Sequence, residues 1–194
     1  MIAGPTTPTL RWRLYALACV AAGLLTLAWA GSARAQAETL RSSAVKAAFL
    51  YRFTNFVEWP RAAFSGDAPL VIAVWRDPEI ADDLEVIVAG RTAQGRPVVV
   101  RRVQELAAAS GAHVLFFGRG HPRLREALAS APGGPTLLVT AEGDAHPPGS
   151  ALNLERGSDG RVRFTASPDA AAARGLHLSA RLLSSARAVE GRAR

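Results

Sequence analysis

Residues 46–60, Lys-Ala-Ala-Phe-Leu-Tyr-Arg-Phe-Thr-Asn-Phe-Val-Glu-Trp-Pro, restrict the fold of this chain more than any other stretch. Val45, Phe49, Phe53 and Phe56 recur at steps of four, four and three, which stacks large apolar side chains on one face of an α-helix. Leu50 and Val57 widen that face, while Lys46, Arg52, Asn55 and Glu58 fall mostly off it. The helix is therefore amphipathic and must bury its stripe against a sheet or another helix. Trp59-Pro60 punctuates it: the residue before a proline is pushed out of the α region, so the helix is expected to end near Glu58. The plain reading of the aromatic stripe is core packing, with a ligand groove as the alternative.

Upstream, Arg11 and Arg13 precede a largely apolar run over 14–30, and small residues follow at Ala33, Ala35 and Ala37. A basic start, an apolar centre and small residues at alternate positions are the marks of a cleaved secretory signal. Residues 1–37 are expected to be that signal, with cleavage near 35–37, and 38–194 to form the exported domain. An uncleaved anchor is the alternative, since the apolar run sits at the short end of what spans a bilayer. The lone cysteine, Cys19, lies inside the apolar run, so the exported part has none and must be stable by packing alone.

The chain of 194 residues carries a formal charge of +7. Without Arg11, Arg13 and Arg34 there remain 20 basic residues against 16 acidic, a net of +4. No basic run exceeds Arg101-Arg102, so this is a solvated basic surface and not a nucleic-acid footprint.

Between 61 and 166, short apolar runs alternate with helical stretches. Strands are expected over 70–75, 98–103, 113–117 and 136–140, with helices over 78–88, 104–109 and 123–131 between them. Such alternation implies βαβ units, a mostly parallel sheet and helices on both faces. The end of the chain differs. Runs at 150–154 and 161–165 flank Glu155-Arg156-Gly157-Ser158-Asp159-Gly160, which reads as an antiparallel hairpin. Ser167-Pro168-Asp169 is a helix start, with Gly175 as its stop. A last helix over 179–189 is expected to turn Leu182, Leu183, Ala186 and Val189 inward. The fold class is thus α/β: a single three-layer domain with a mixed, mostly parallel sheet flanked by helices, ending in a β-hairpin and helices.

Catalytic signals are sparse. The chain has no G-x-S-x-G elbow, no G-x-x-x-x-G-K-[ST] loop and no H-E-x-x-H helix. Gly118-Arg119-Gly120 follows a strand and precedes a helix, the place where phosphates bind in α/β folds, but it lacks a third glycine and an acidic partner downstream. His113, His121, His146 and His177 show no metal-ligand spacing. No nucleophile, base and orienting group can be named together, so no enzyme, metal site or cofactor is expected.

Several stretches, taken in order, resemble the YfiR-like family of small periplasmic proteins. They are the 46–60 helix, Gly95-Arg96-Pro97-Val98-Val99-Val100, His113-Val114-Leu115-Phe116-Phe117, Arg161-Val162-Arg163-Phe164, and Gly175-Leu176-His177-Leu178-Ser179-Ala180-Arg181-Leu182-Leu183. The resemblance implies an exported regulator that holds an inner-membrane GGDEF diguanylate cyclase inactive by engaging its periplasmic sensor region. Cyclic di-GMP signalling and biofilm formation would then fall. It allows a homodimer, and the spread of the basic residues argues against a nucleic-acid partner. The segment bearing His177, Ser179 and Arg181, where polar and apolar residues alternate before the last helix, is the expected contact surface; a short edge strand and helix cap is its alternative. Relatives often carry cysteines, one of them just before the strand that here starts Ala112-His113; the exported part of this chain has none, so the redox control seen in relatives is unsupported for it. The competing reading is a periplasmic small-molecule-binding module serving another receptor or a sensor kinase, its arginines suited to an anionic ligand.

Overall fold

Residues 42–143 and 145–191 are described by the structure, a computed structural model. The expected signal, and the anchor that is its alternative, lie outside the described residues.

The chain enters through helix α1, helical over 42–53. Five parallel strands carry the sheet: β2 (Leu70–Trp75), β4 (Arg96–Val103), β5 (Val114–Phe117), β6 (Leu137–Thr140) and β7 (Leu152–Arg156). Helix α2 (Pro78–Val88) joins β2 to β3 (Thr92–Ala93), which returns antiparallel onto β4. Helix α3 (Leu124–Ala129) joins β5 to β6. Then β8 (Val162–Ala166) folds back on β7 as the expected hairpin, Leu154 opposite Phe164. The order across the sheet is β10-β8-β7-β6-β5-β2-β4-β3, where β10 (Ala188–Val189) runs parallel to β8. A separate two-stranded ribbon pairs β1 (Val57–Glu58) with β9 (His177–Leu178).

The alternation of β2 explains the layers. Leu70, Ile72 and Val74 point to a large cluster closed by Ala47, Leu50 and Phe53 of α1, by Ile80, Leu84 and Val88 of α2, and by Leu182. Val71, Ala73 and Trp75 point to a smaller cluster with Leu115, Phe117, Leu124 and Leu128. Both faces of β2 are fully buried, as a central parallel strand requires. Helix α2 starts at Asp77, whose carboxylate accepts from the Ile80 N–H at 3.2 Å, with Pro78 at the first position. Ser167 caps α4 (Pro168–Ala172) in the same way through Ala170 N–H, and Gly175 follows it at φ +71, a conformation glycine adopts freely.

Three expectations need correction. Helix α1 stops at 53, not near Glu58, and Val57–Glu58 is extended. The cause lies far off in sequence. Gln94 Nε2 donates to the carbonyls of Thr54 (2.8 Å) and Val57 (2.7 Å), and Ser179 N–H donates to Phe56 O (3.0 Å), so the backbone beyond 53 is satisfied without helix. The final helix, α5 (Ala180–Ser185), also ends early: Ala186 is extended, and Arg187 N–H donates to Phe164 O to start β10. Val189 is consequently 41% exposed instead of inward. The 104–109 helix is a 3₁₀ turn over Leu106–Ala109.

Candidate functional site

The aromatic stripe divides between two tasks. Ala47, Leu50, Phe53 and Val57 are buried, Val45 is 41% exposed, and Phe49 and Phe56 are half-covered. Those half-covered rings line a groove of about 570 Å³ between α1, β8 and α5. Its floor is a three-ring cluster. Phe53 meets Phe164 edge-on with centroids 5.1 Å apart, and Phe49 leans on both at 5.8 and 5.9 Å.

Four arginines rim this floor: Arg52, Arg163, Arg181 and Arg187. They are not equivalent. Arg163 forks onto Asp159, its Nη2 2.7 Å from Oδ2, and holds that carboxyl below the usual range. Arg187 forks onto buried Glu155. Arg52 and Arg181 are exposed, and among the described residues neither has a carboxylate within ion-pair reach. The Arg181 guanidinium instead lies 5.7 Å from the Phe56 ring centroid. The groove therefore presents an apolar floor and two uncompensated cations, chemistry suited to a partner bringing apolar side chains or rings and a carboxylate.

Of the three residues expected on the contact surface, Arg181 faces this groove. Ser179 is the N-cap of α5, accepting from Leu182 N–H at 3.2 Å. His177 lies on β9, exposed, with Nδ1 3.7 Å from Glu58 Oε2. The segment is thus both the edge strand with its cap and, through Arg181, part of the groove wall. Phe49, Arg52, Phe56 and Phe164 join it only in three dimensions. The aromatic stripe of 46–60, with a ligand groove as its alternative reading, is the local signal of Phe49 and Phe56; nothing local points to Arg52 or Phe164.

Gly118, Arg119 and Gly120 lie apart from the groove, at the carboxyl ends of β2 and β5. Gly120 N–H donates to Glu142 Oε1 at 3.0 Å, and the Gly118 backbone packs so closely on Asp77 that an added Cβ would sit 2.5 Å from its Oδ2. The protein's own carboxylates thus face the loop. Nearby Lys46 is half-buried, and its pKa is lowered chiefly by burial and further by Arg119.

The histidines have local roles. His121 stacks on Trp75 with centroids 4.0 Å apart, and His146 bridges Thr165 Oγ1 (2.7 Å) and Ser150 O (2.8 Å). No group of three or more His, Cys, Asp or Glu is placed to hold a metal ion among the described residues. Nor, among those residues, is any helix long and apolar enough to cross a membrane.

The protein is an α/β domain in which α1, β8 and α5 frame an arginine-rimmed aromatic groove. The YfiR/HmsC-like family model matches residues 43–187, and the chain belongs to that family. No curated protein matches it. Membership implies a periplasmic regulator of diguanylate cyclase signalling, in a family that is regulatory and not catalytic.

Proposed function

We propose that the chain, exported by cleavage near 35–37, binds the periplasmic sensor region of an inner-membrane GGDEF diguanylate cyclase and holds the enzyme inactive. Cyclic di-GMP and biofilm formation fall as a result. A partner that binds only the inactive receptor conformation stabilises it by the difference in its affinity for the two states. The observation that carries the reading, beside family membership, is the groove: unpaired Arg52 and Arg181 over Phe49, Phe56 and Phe164 form a surface that an acidic, apolar receptor segment complements.

The test is capture of the chain from residue 38 onward by the periplasmic domains of its host's inner-membrane GGDEF proteins, paired with cyclic di-GMP levels in a deletion strain. One domain is expected to bind, and deletion to raise the level. Arg181→Glu is expected to weaken capture about tenfold or more while leaving the unfolding temperature in place, because the side chain is exposed. Failure of every domain to bind, together with a flat cyclic di-GMP level, would sink the reading.

A second reading has one observation in its favour: a volume of about 570 Å³ falls in the range of small-molecule sites. An anionic ligand seated there would raise the unfolding temperature with no protein partner present.

A further inference from the structure

The segment 59–68 crosses the amino ends of the parallel strands, and the His113 imidazole fastens its middle at Ala63, while Arg96 holds its far end. His113, just before β5, is 5% exposed. Its main chain is fixed on both sides: the N–H donates to Val71 O (2.9 Å), and the carbonyl accepts from Leu137 N–H (2.8 Å) and from Trp59 Nε1–H (3.3 Å). In the ring, Nδ1 accepts the Val71 N–H at 3.0 Å and Nε2 lies 3.1 Å from Ala63 O. A carbonyl can only accept, so Nε2 carries the hydrogen. A backbone N–H can only donate, so Nδ1 must be bare. Two main-chain groups that cannot exchange roles thus hold the ring in one neutral tautomer.

The segment is built around that ring. Phe64 stacks on it with centroids 4.4 Å apart and planes 15° off parallel, while Trp59 meets it edge-on at 6.3 Å. Arg96 lies 4.5 Å from the Phe64 centroid and donates to Gly66 O (2.7 Å) and Ala68 O (2.8 Å). The charged groups that act on the imidazole are Arg96 and Arg101, both from β4 and both opposing a second proton. The segment's own Arg61 and Asp67 are exposed, and β2 and β6 bring no charge. Burial is the largest cause holding the His113 pKa below its ordinary value; the Ala63 carbonyl acts the other way.

We propose that His113 is a pH-operated catch, in which a second proton at Nδ1 expels the ring from the Val71 amide and frees the 59–68 strap. The event is local, but its consequence reaches the groove. The strap continues directly from β1, whose partner β9 leads into Ser179 and Arg181, and Phe56 under Arg181 is the residue before β1. Freeing the strap removes one of the anchors of that wall, so acid lowers the affinity for the partner; this last consequence rests on the receptor-binding reading above. The sign follows from linkage. The closed strap prefers the neutral ring, so it is fully favoured above about pH 6.5, the ordinary histidine value, and loses ground as the pH falls below it.

Hydrogen exchange tests the catch on the chain from residue 38 onward. After correction for intrinsic exchange rates, amides of 59–71 are expected to open about tenfold more often at pH 5.5 than at pH 7.5, with the β7–β8 hairpin unchanged. His113→Gln keeps an acceptor and a donor without a titrating group, and its strap is expected to show no acid response. Unchanged protection of the wild-type strap between the two pH values would overturn the proposal, as would an undiminished acid response in His113→Gln. Should that variant not fold, the ring resonance of His113 in the wild type decides: its titration midpoint must match that of strap opening, and a mismatch overturns the catch. Capture by the cyclase domain at both pH values separates the two readings. No binding at either pH refutes the receptor reading alone, and equal binding at both while the strap opens refutes the coupling.

Discussion

Arg187 grips Glu155 with both arms of its guanidinium, Nε on Oε1 and Nη2 on Oε2, the latter at 2.9 Å. The two residues stand on neighbouring parts of the sheet edge, Glu155 on β7 and Arg187 immediately before β10, with β8 between those strands. The carboxylate side chain is only 3% exposed, whereas the arginine is 47% exposed. That asymmetry decides which deletion matters. Removing the cation leaves a charge in the interior, while removing both charges leaves little to satisfy. Arg187→Met is therefore expected to cost about 2 kcal/mol, reduced from the fully buried case because water reaches the arginine side. Combining it with Glu155→Leu should restore much of the loss. Denaturant unfolding of the wild type, both single variants and the double variant reads the coupling, and a double variant less stable than Arg187→Met would show that the pair stabilises this edge in its own right.

Gln94 fixes the end of α1 from forty residues away. It sits at φ +52, followed by Gly95 at φ +74, which gives the two-residue turn between β3 and β4 the left-handed backbone that matches strand twist. Asparagine tolerates that conformation at least as well, but its side chain is one methylene shorter and cannot reach Thr54 O and Val57 O. Gln94→Asn thus separates turn from tether. The expected loss is about 1–2 kcal/mol, from two hydrogen bonds to backbone carbonyls. A thermal unfolding temperature equal to that of the wild type would mean that the β1–β9 ribbon, and not Gln94, holds the segment after 53.

These two contacts also show where the sequence was legible and where it was not. Helix α2 could be bounded to the residue, because Asp77-Pro78 opens it and its apolar periodicity stops at Val88. Strand β2 stood out as an unbroken apolar run, and the β7–β8 hairpin as two apolar runs around a glycine-bearing turn. Each signal lies within a few residues of what it specifies. The ends of α1 and α5 do not work that way. One is set by Gln94 and the other where Arg187 N–H pairs with Phe164 O, and no local pattern announces either partner. The ribbon strands β1 and β9 have two residues each, too short for any period to register. The groove was half legible for the same reason. Phe49 and Phe56 lie in one stretch, and Arg181 lies in the segment where polar and apolar residues alternate, but Phe164 and Arg163 arrive only through the hairpin. The helical spacing could not say which ring of the stripe is core and which is wall.

That division gives the last prediction. Phe53 is 1% exposed at the junction of α1 with the large cluster, while Phe49 is half-covered and borders the groove. Phe53→Ala leaves a cavity that its neighbours cannot fill, at an expected cost of about 3–5 kcal/mol. Phe49→Ala removes a ring already partly in water, so it should cost about 1 kcal/mol, scaled to the smaller apolar area withdrawn. The effects on binding should run in the opposite order. At a temperature where both variants remain folded, Phe49→Ala is expected to weaken capture by the receptor domain, because its ring forms the accessible wall beneath Arg52 and Arg181. Phe53→Ala, whose ring lies beneath the floor at 1% exposure, should change capture mainly through loss of folded protein. Unfolding curves and capture measured on the same preparations distinguish the two. Equal stability losses for the variants would mean that the stripe is core throughout, and a groove variant that binds as well as the wild type would place the contact on another face.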